Sequence, residues 1–195
     1  MKKYIIGFAA AAAFTAAAAP ASAAVTTGGR VEALVGWDHA RVSLDDFGVD
    51  DSLNSDGIVF GIGAGYDFGI GTSASMGIDI EASESTADLD FDDGTDSASL
   101  SAGRDLYAGA RFTFPVSDAA NVYVKAGYTN ARVHADLDED GDITSDSTNL
   151  DGIRGGVGMQ FGLGTSAYVG AEYRYSNYEG GFSRHQAVAT LGFRF

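Results

Sequence analysis

The sequence predicts an all-β fold, an eight-stranded antiparallel up-and-down transmembrane β-barrel preceded by a cleavable secretory leader. Apolar residues recur at every second position in eight segments from Arg30 onward, which is the period of a strand with one apolar face. The opposite faces of these segments carry charges and glycines, and the connections between them alternate short and long.

Lys2 and Lys3 form a basic start, an alanine-rich apolar run extends from Tyr4 to Ala19, and Pro20 with Ala21-Ser22-Ala23 supplies a small-residue cleavage site. Residues 1–23 are therefore expected to be removed, leaving 24–195 as the barrel domain. The run falls short of the ~20 apolar residues of a membrane-spanning helix, and no later segment reaches that length.

The eight strands follow in order. Segment 30–42 presents Val31, Ala33, Val35 and Trp37, and 57–68 presents Ile58, Phe60, Ile62, Ala64, Tyr66 and Phe68. Segment 73–83 presents Ala74, Met76, Ile78, Ile80 and Ala82, and 100–114 presents Leu106, Ala108, Ala110, Phe112 and Phe114. In 121–133 the apolar face is Val122, Val124, Ala126 and Tyr128, and in 150–163 it is Ile153, Val157, Met159, Phe161 and Leu163. Segments 166–176 and 184–195 give Ala167, Val169, Ala171, Tyr173, Tyr175 and then Ala187, Ala189, Leu191, Phe193, Phe195.

The opposite faces decide which way the apolar side turns. They carry Glu32, Asp79, Glu81, Arg111, Lys125, Arg154, Glu172 and Arg174, with glycines such as Gly63, Gly65, Gly156 and Gly158. A soluble sandwich would bury the apolar faces and expose these charges, and any single strand is compatible with that. The connections are not. Those at 69–72, 115–120 and 164–165 are short, whereas 43–56, 84–99 and 134–149 are long. Short turns on one side and longer loops on the other, over an even strand count, characterise an outer-membrane barrel. Closure also removes the unpaired edges that lipid does not tolerate. Tyr66, Phe68, Phe112, Phe114, Phe161, Phe193 and Phe195 cluster toward the turns; Trp37, Phe60, Tyr128, Tyr173 and Tyr175 cluster toward the loops. Two such girdles mark two membrane interfaces.

Composition narrows the partners. The chain holds 27 acidic and 12 basic residues, a formal charge of −15 that falls to −17 once Lys2 and Lys3 leave. That acidity disfavours nucleic acid, whose phosphates need a basic surface. Cysteine is absent, so no disulfide staples the exported chain.

At the C-terminus, Glu172-Tyr-Arg-Tyr-Ser-Asn-Tyr-Glu179, Ser183-Arg-His-Gln186 and the final Leu191-Gly-Phe-Arg-Phe195 resemble the opacity-type porins, the OmpA-like family of small outer-membrane barrels. The resemblance implies that Leu191, Phe193 and Phe195 form the terminal signal recognised by the barrel-assembly machinery. It carries no shared catalytic residue. Because the sequence stops at Phe195, no peptidoglycan-binding domain of the larger OmpA proteins is expected.

A lipid-modifying barrel enzyme would need a nucleophile, a base and an orienting acid. His39, His134 and His185 are the only histidines, and Ser183 shares a face with His185. Interfacial polarity explains them as well, so no catalytic residue and no enzyme activity are expected. An eight-stranded interior is just wide enough for side chains to fill, so the inward charges are expected to pair and close it rather than form a low-conductance pore. The segments 43–56, 84–99 and 134–149 hold 17 of the 27 acids and no lysine or arginine. Within the last, Asp136, Asp138, Asp140 and Asp142 follow the first half of an EF-hand-type calcium loop. The bidentate Glu of its twelfth position is replaced by Ser147, so at most weak calcium binding is expected and no other cofactor. Arg41, Arg104 and Arg132 share the parity of their strands' apolar residues. Each lies where about ten residues at ~3.3 Å would lift it to the outer headgroups, beside lipopolysaccharide or another anionic outer-leaflet glycolipid. The expected role is structural or surface-interacting, in the cell outer membrane, with acidic loops outside.

Overall fold

The computed structural model describes residues 25–43, 52–92, 97–139 and 142–195. The described strands are β1 (Gly28–Ser43), β2 (Ser52–Ile70), β3 (Ala74–Ser85), β4 (Asp88–Asp92), β5 (Ser97–Pro115), β6 (Ala120–Glu139), β7 (Asp142–Leu163), β8 (Ala167–Tyr178) and β9 (Phe182–Arg194). Sequential neighbours pair antiparallel, β9 returns to β1, and β3 and β4 pair in succession with the same edge of β5. The described strands therefore close a ring of eight staves, with β4 continuing β3 after the break at Thr86-Ala87. The expected leader at 1–23 lies outside the described residues.

Alternation is preserved around the ring, with its apolar side turned outward. Ile62, Ile78, Ile80, Ile153 and Leu191 are all more than half exposed, whereas Arg30, Arg111, Arg154, Arg174 and Arg184 are buried to 1 %. This is an inverted soluble protein, as a lipid solvent requires. The short turns lie at one end with both barrel termini. Gly71 and Gly164 turn the chain there at φ +62° and +95°, a region that suits glycine.

At the other end the strands run further than the alternating apolar pattern. β6 and β7 stay paired up to Glu139↔Asp142, and β5 pairs with β6 from Ser97↔Asp138. Most of the segment expected as the loop 134–149 is thus a continuing hairpin. β7 alone has 22 residues, against the 9–11 that span a membrane. The four-stranded sheet β4–β5–β6–β7 projects beyond the apolar band. A bulge between Ala102 and Asp105 marks its base, sharpening the local twist.

Candidate functional site

The barrel interior is the most highly organised part of the molecule. Its inward side chains stack in three tiers. At the turn end, Arg30 contacts Asp67 and Asp79 and lies 3.7 Å from Glu32. Arg111 meets Glu32 at 3.2 Å, and Arg194 meets Asp67 at 2.8 Å. The Tyr168 hydroxyl donates to Glu32 at 2.6 Å and Gln160 Nε2 donates to it at 3.1 Å. In the middle, Lys125 Nζ lies 3.3 Å from Glu81 and 2.8 Å from Glu172, and Arg174 contacts Glu81. Nearest the projecting sheet, Arg184 contacts Asp38 and meets Asp105 at 3.1 Å. Arg154 joins the upper two tiers, 3.2 Å from Glu81 and in contact with Asp105.

All eight charges read from the sequence onto one face lie in this network. Reading only those eight misses Arg30, Asp38, Asp67, Asp105, Arg184 and Arg194, although each shares the inward parity of its strand. With them counted, the described interior holds seven carboxylates (Glu32, Asp38, Asp67, Asp79, Glu81, Asp105, Glu172) and seven cations (Arg30, Arg111, Lys125, Arg154, Arg174, Arg184, Arg194). The described lumen is formally neutral, so the chain's large negative charge resides outside it.

Small residues make the packing possible. A Cβ on Gly65 would fall 2.5 Å from the Arg30 guanidinium and 2.6 Å from Asp79. One on Gly158 would fall 2.4 Å from the Tyr123 ring. That ring reaches over β7 at its register partner, Gly158, and the Arg111 guanidinium stacks 3.5 Å from its centroid. Above the charges, Ala40, Ala87, Ala131, Tyr178 and Phe182 form an apolar cluster with Val42 and Leu150 against it. The column of ion pairs is therefore capped by an apolar layer.

The outward candidates are placed differently. Arg41, Arg104 and Arg132 are all exposed. Arg104 and Arg132 face one another at the bulge of β5, and Arg132 Nη2 donates to Ser147 Oγ at 2.7 Å. Arg41 sits on β1 between Asn54 and Ser183, three staves round from β5. The arginines thus occupy two separate stretches of the rim. His39 Nδ1 lies 2.8 Å from Asp56, and His185 Nδ1 lies 2.6 Å from the Tyr173 hydroxyl. Ser183 makes no hydrogen bond to His185 among the described residues. Asp140, the side chains of Asp136, Asp138 and Asp142, and that of His134 lie outside the described residues. Among the described residues no group of three or more His, Asp or Glu side chains is arranged to hold a metal ion.

Leu191, Phe193 and Phe195 all face outward, Phe195 at 77 % exposure. The last residue also closes the seam: Gly29 N–H donates to the Phe195 carbonyl at 2.9 Å, and Phe195 N–H donates to Gly29 at 3.0 Å. Deleting Phe195 removes both bonds and the terminal aromatic. The expected result is a several-fold drop in heat-modifiable barrel recovered from the outer membrane, a scale that follows from two lost bonds of ~1 kcal/mol each. Undiminished folded protein in the deletion strain would show that this residue is dispensable for assembly.

Residues 8–195 match the family model of the outer membrane protein beta-barrel domain. The chain belongs to that family. Its fold is shared with the attachment invasion locus protein Ail of Yersinia pestis, solved with the heparin analogue sucrose octasulfate, at 17 % identity and a TM-score of 0.54 over 86 % of this chain and 99 % of Ail. It is shared also with Neisserial surface protein A, at 18 % identity and a TM-score of 0.57 over 87 % of this chain and 98 % of that one. No curated protein sequence matches the chain. The barrel is therefore an integral protein of the cell outer membrane, with its short turns and termini periplasmic and its projecting sheet outside.

Proposed function

We propose that this protein is a closed, non-enzymatic surface barrel that anchors an acidic extracellular sheet, serving envelope integrity or surface interaction within an anionic glycolipid leaflet. The charge-neutral, ion-paired lumen carries the reading. A diffusion pore needs a continuous wet path, whereas here seven inward-facing cations find seven carboxylates and an apolar cluster covers the outer end. No surplus charge remains among the described inward residues to draw an ion through.

The sheet outside supplies a means of interaction. Pairing between β7 and β8 begins at Gly152↔Tyr178, so residues 142–150 of β7 have only β6 as a described partner. Such an edge offers unpaired main-chain groups to an extended segment of another molecule. Its aspartates favour a cationic one.

In planar bilayers the refolded protein is expected to give no steady channels, and cells lacking it are expected to become more detergent-sensitive or less able to attach to surfaces. Large, stable single-channel steps from the pure protein would replace this reading with a porin.

A further inference from the structure

We propose that the outer face of β2, β1, β9 and β8 is a recognition site for the headgroup of a phosphorylated glycolipid, centred on Arg41. This deepens the surface role above and depends on it for the setting in the outer leaflet.

The site is built in rows set by strand register. Asn54, Arg41, Ser183 and Asn177 are direct neighbours across the four strands and point outward. One step closer to the membrane centre, His39, His185 and Tyr175 make the next row, and Trp37 and Tyr173 lie below them. The rings are organised rather than splayed: Trp37 stacks on His39 at 5.6 Å with planes 22° apart, and Tyr175 lies 4.7 Å from His185. Asp56, the acid beside this surface, is engaged by His39.

Charge distinguishes this face from the rest of the rim. Six of the nine arginines are ion-paired in the lumen. Arg104 and Arg132 crowd together at the bulge of β5, and Arg132 is already hydrogen-bonded to Ser147. Arg41 has neutral hydrogen-bonding neighbours on both sides, and Asp56, one diagonal step away, is taken up by His39. In a chain this acidic, that arrangement leaves the guanidinium to an external anion.

The height of the row fixes which anion. Arg41 lies ten residues above Val31 on one outward face, which at ~3.3 Å per residue and a tilt near 45° raises it roughly 23 Å, the height of the apolar band. Lipid phosphates lie there. The guanidinium fork engages two phosphate oxygens at once. Asn54, Asn177 and Ser183 supply donors and acceptors for sugar hydroxyls, and the Trp37–His39 stack supplies a flat apolar surface beneath.

Trp37 is the chain's single tryptophan and reports on the site directly. Full-length barrel in uncharged detergent is titrated with diphosphorylated lipid A while Trp37 emission is followed. The parent is expected to give a saturable shift. Arg41→Gln should move its midpoint roughly tenfold higher, the loss of one charge-assisted contact. The Arg104→Gln/Arg132→Gln variant should leave the midpoint where it is. Phosphate-stripped lipid A and phosphatidylglycerol should both bind more weakly than diphosphorylated lipid A. An unchanged midpoint for Arg41→Gln, an equal loss in the double variant, equal binding of phosphatidylglycerol, or the same shift from inorganic phosphate alone would overturn the site. Heat-modifiability of each variant in the same detergent separates a lost site from a lost fold. Conductance of the parent tests the closed-barrel reading independently.

Discussion

Replacing Arg154 with alanine is expected to destabilise the barrel by about 3–5 kcal/mol, because it takes a cation from two buried carboxylates and leaves the lumen with one uncompensated negative charge. Arg154 lies 3.2 Å from Glu81, contacts Asp105, and donates through Nε to Ser176 Oγ at 2.8 Å and through Nη2 to the Tyr178 hydroxyl at 3.3 Å. Its side chain has no exposed surface, and those of Glu81 and Asp105 are 6 % and 1 % exposed. Water cannot take over the lost contacts without opening the cap formed by Tyr178 and Phe182. Arg111→Ala and Lys125→Ala should act in the same direction, since each holds a carboxylate of the same network. Arg154→Lys keeps the charge but loses the fork, so its loss should be smaller. Urea titration of the folded barrel in lipid vesicles measures all four. A stable Arg154→Ala barrel would mean that Glu81 and Asp105 are held by their remaining cations, and that the tiers are independent.

The residues that made the fold legible and those that hid the rest follow from one physical fact. A strand between lipid and a polar lumen has two unlike faces, so Val31, Ala33 and Val35 against Arg30 and Glu32 betray it locally. Where both faces are wet, that contrast disappears. Residues 134–149 alternate only briefly, at Ala135 and Leu137, and a continuing β6–β7 hairpin therefore reads as a loop. Asp38, Asp105 and Arg184 carry the inward parity but sit at the edge of the apolar band, where a charge suggests solvent. Asp67 lies between Tyr66 and Phe68 and suggests the headgroup region. Their partners lie across the ring: Arg184 meets Asp38 at a separation of 146 residues. Parity supplies the face, but only closure supplies the pairs. Equally, parity marked Arg41, Arg104 and Arg132 as outward without revealing that the first stands apart from the other two.

A second large effect is expected at a position with no side chain. Gly158→Val should cost about 1–3 kcal/mol from overpacking alone, because an ideal Cβ there would sit 2.4 Å from the Tyr123 ring and 2.8 Å from the Ala171 carbonyl oxygen. The backbone cannot yield within a closed hydrogen-bonded sheet, so the ring must. Tyr123 then loses its hydroxyl contact to Glu172, 2.7 Å in the parent, and its stacking under Arg111 at 3.5 Å. Glu172 keeps Lys125, 2.8 Å away, which limits the further loss to the ~1–3 kcal/mol of one unsatisfied buried acceptor. The two terms share one cause, and a compensating change tests it. In a Tyr123→Ala background the valine has room, so Gly158→Val should cost much less there than in the parent. Urea titrations of the parent, both single variants and the double variant give the coupling directly. Additive losses would place the strain of the introduced valine in the β7 and β8 backbones rather than in the ring, and Gly158 would then serve the sheet and not the lumen.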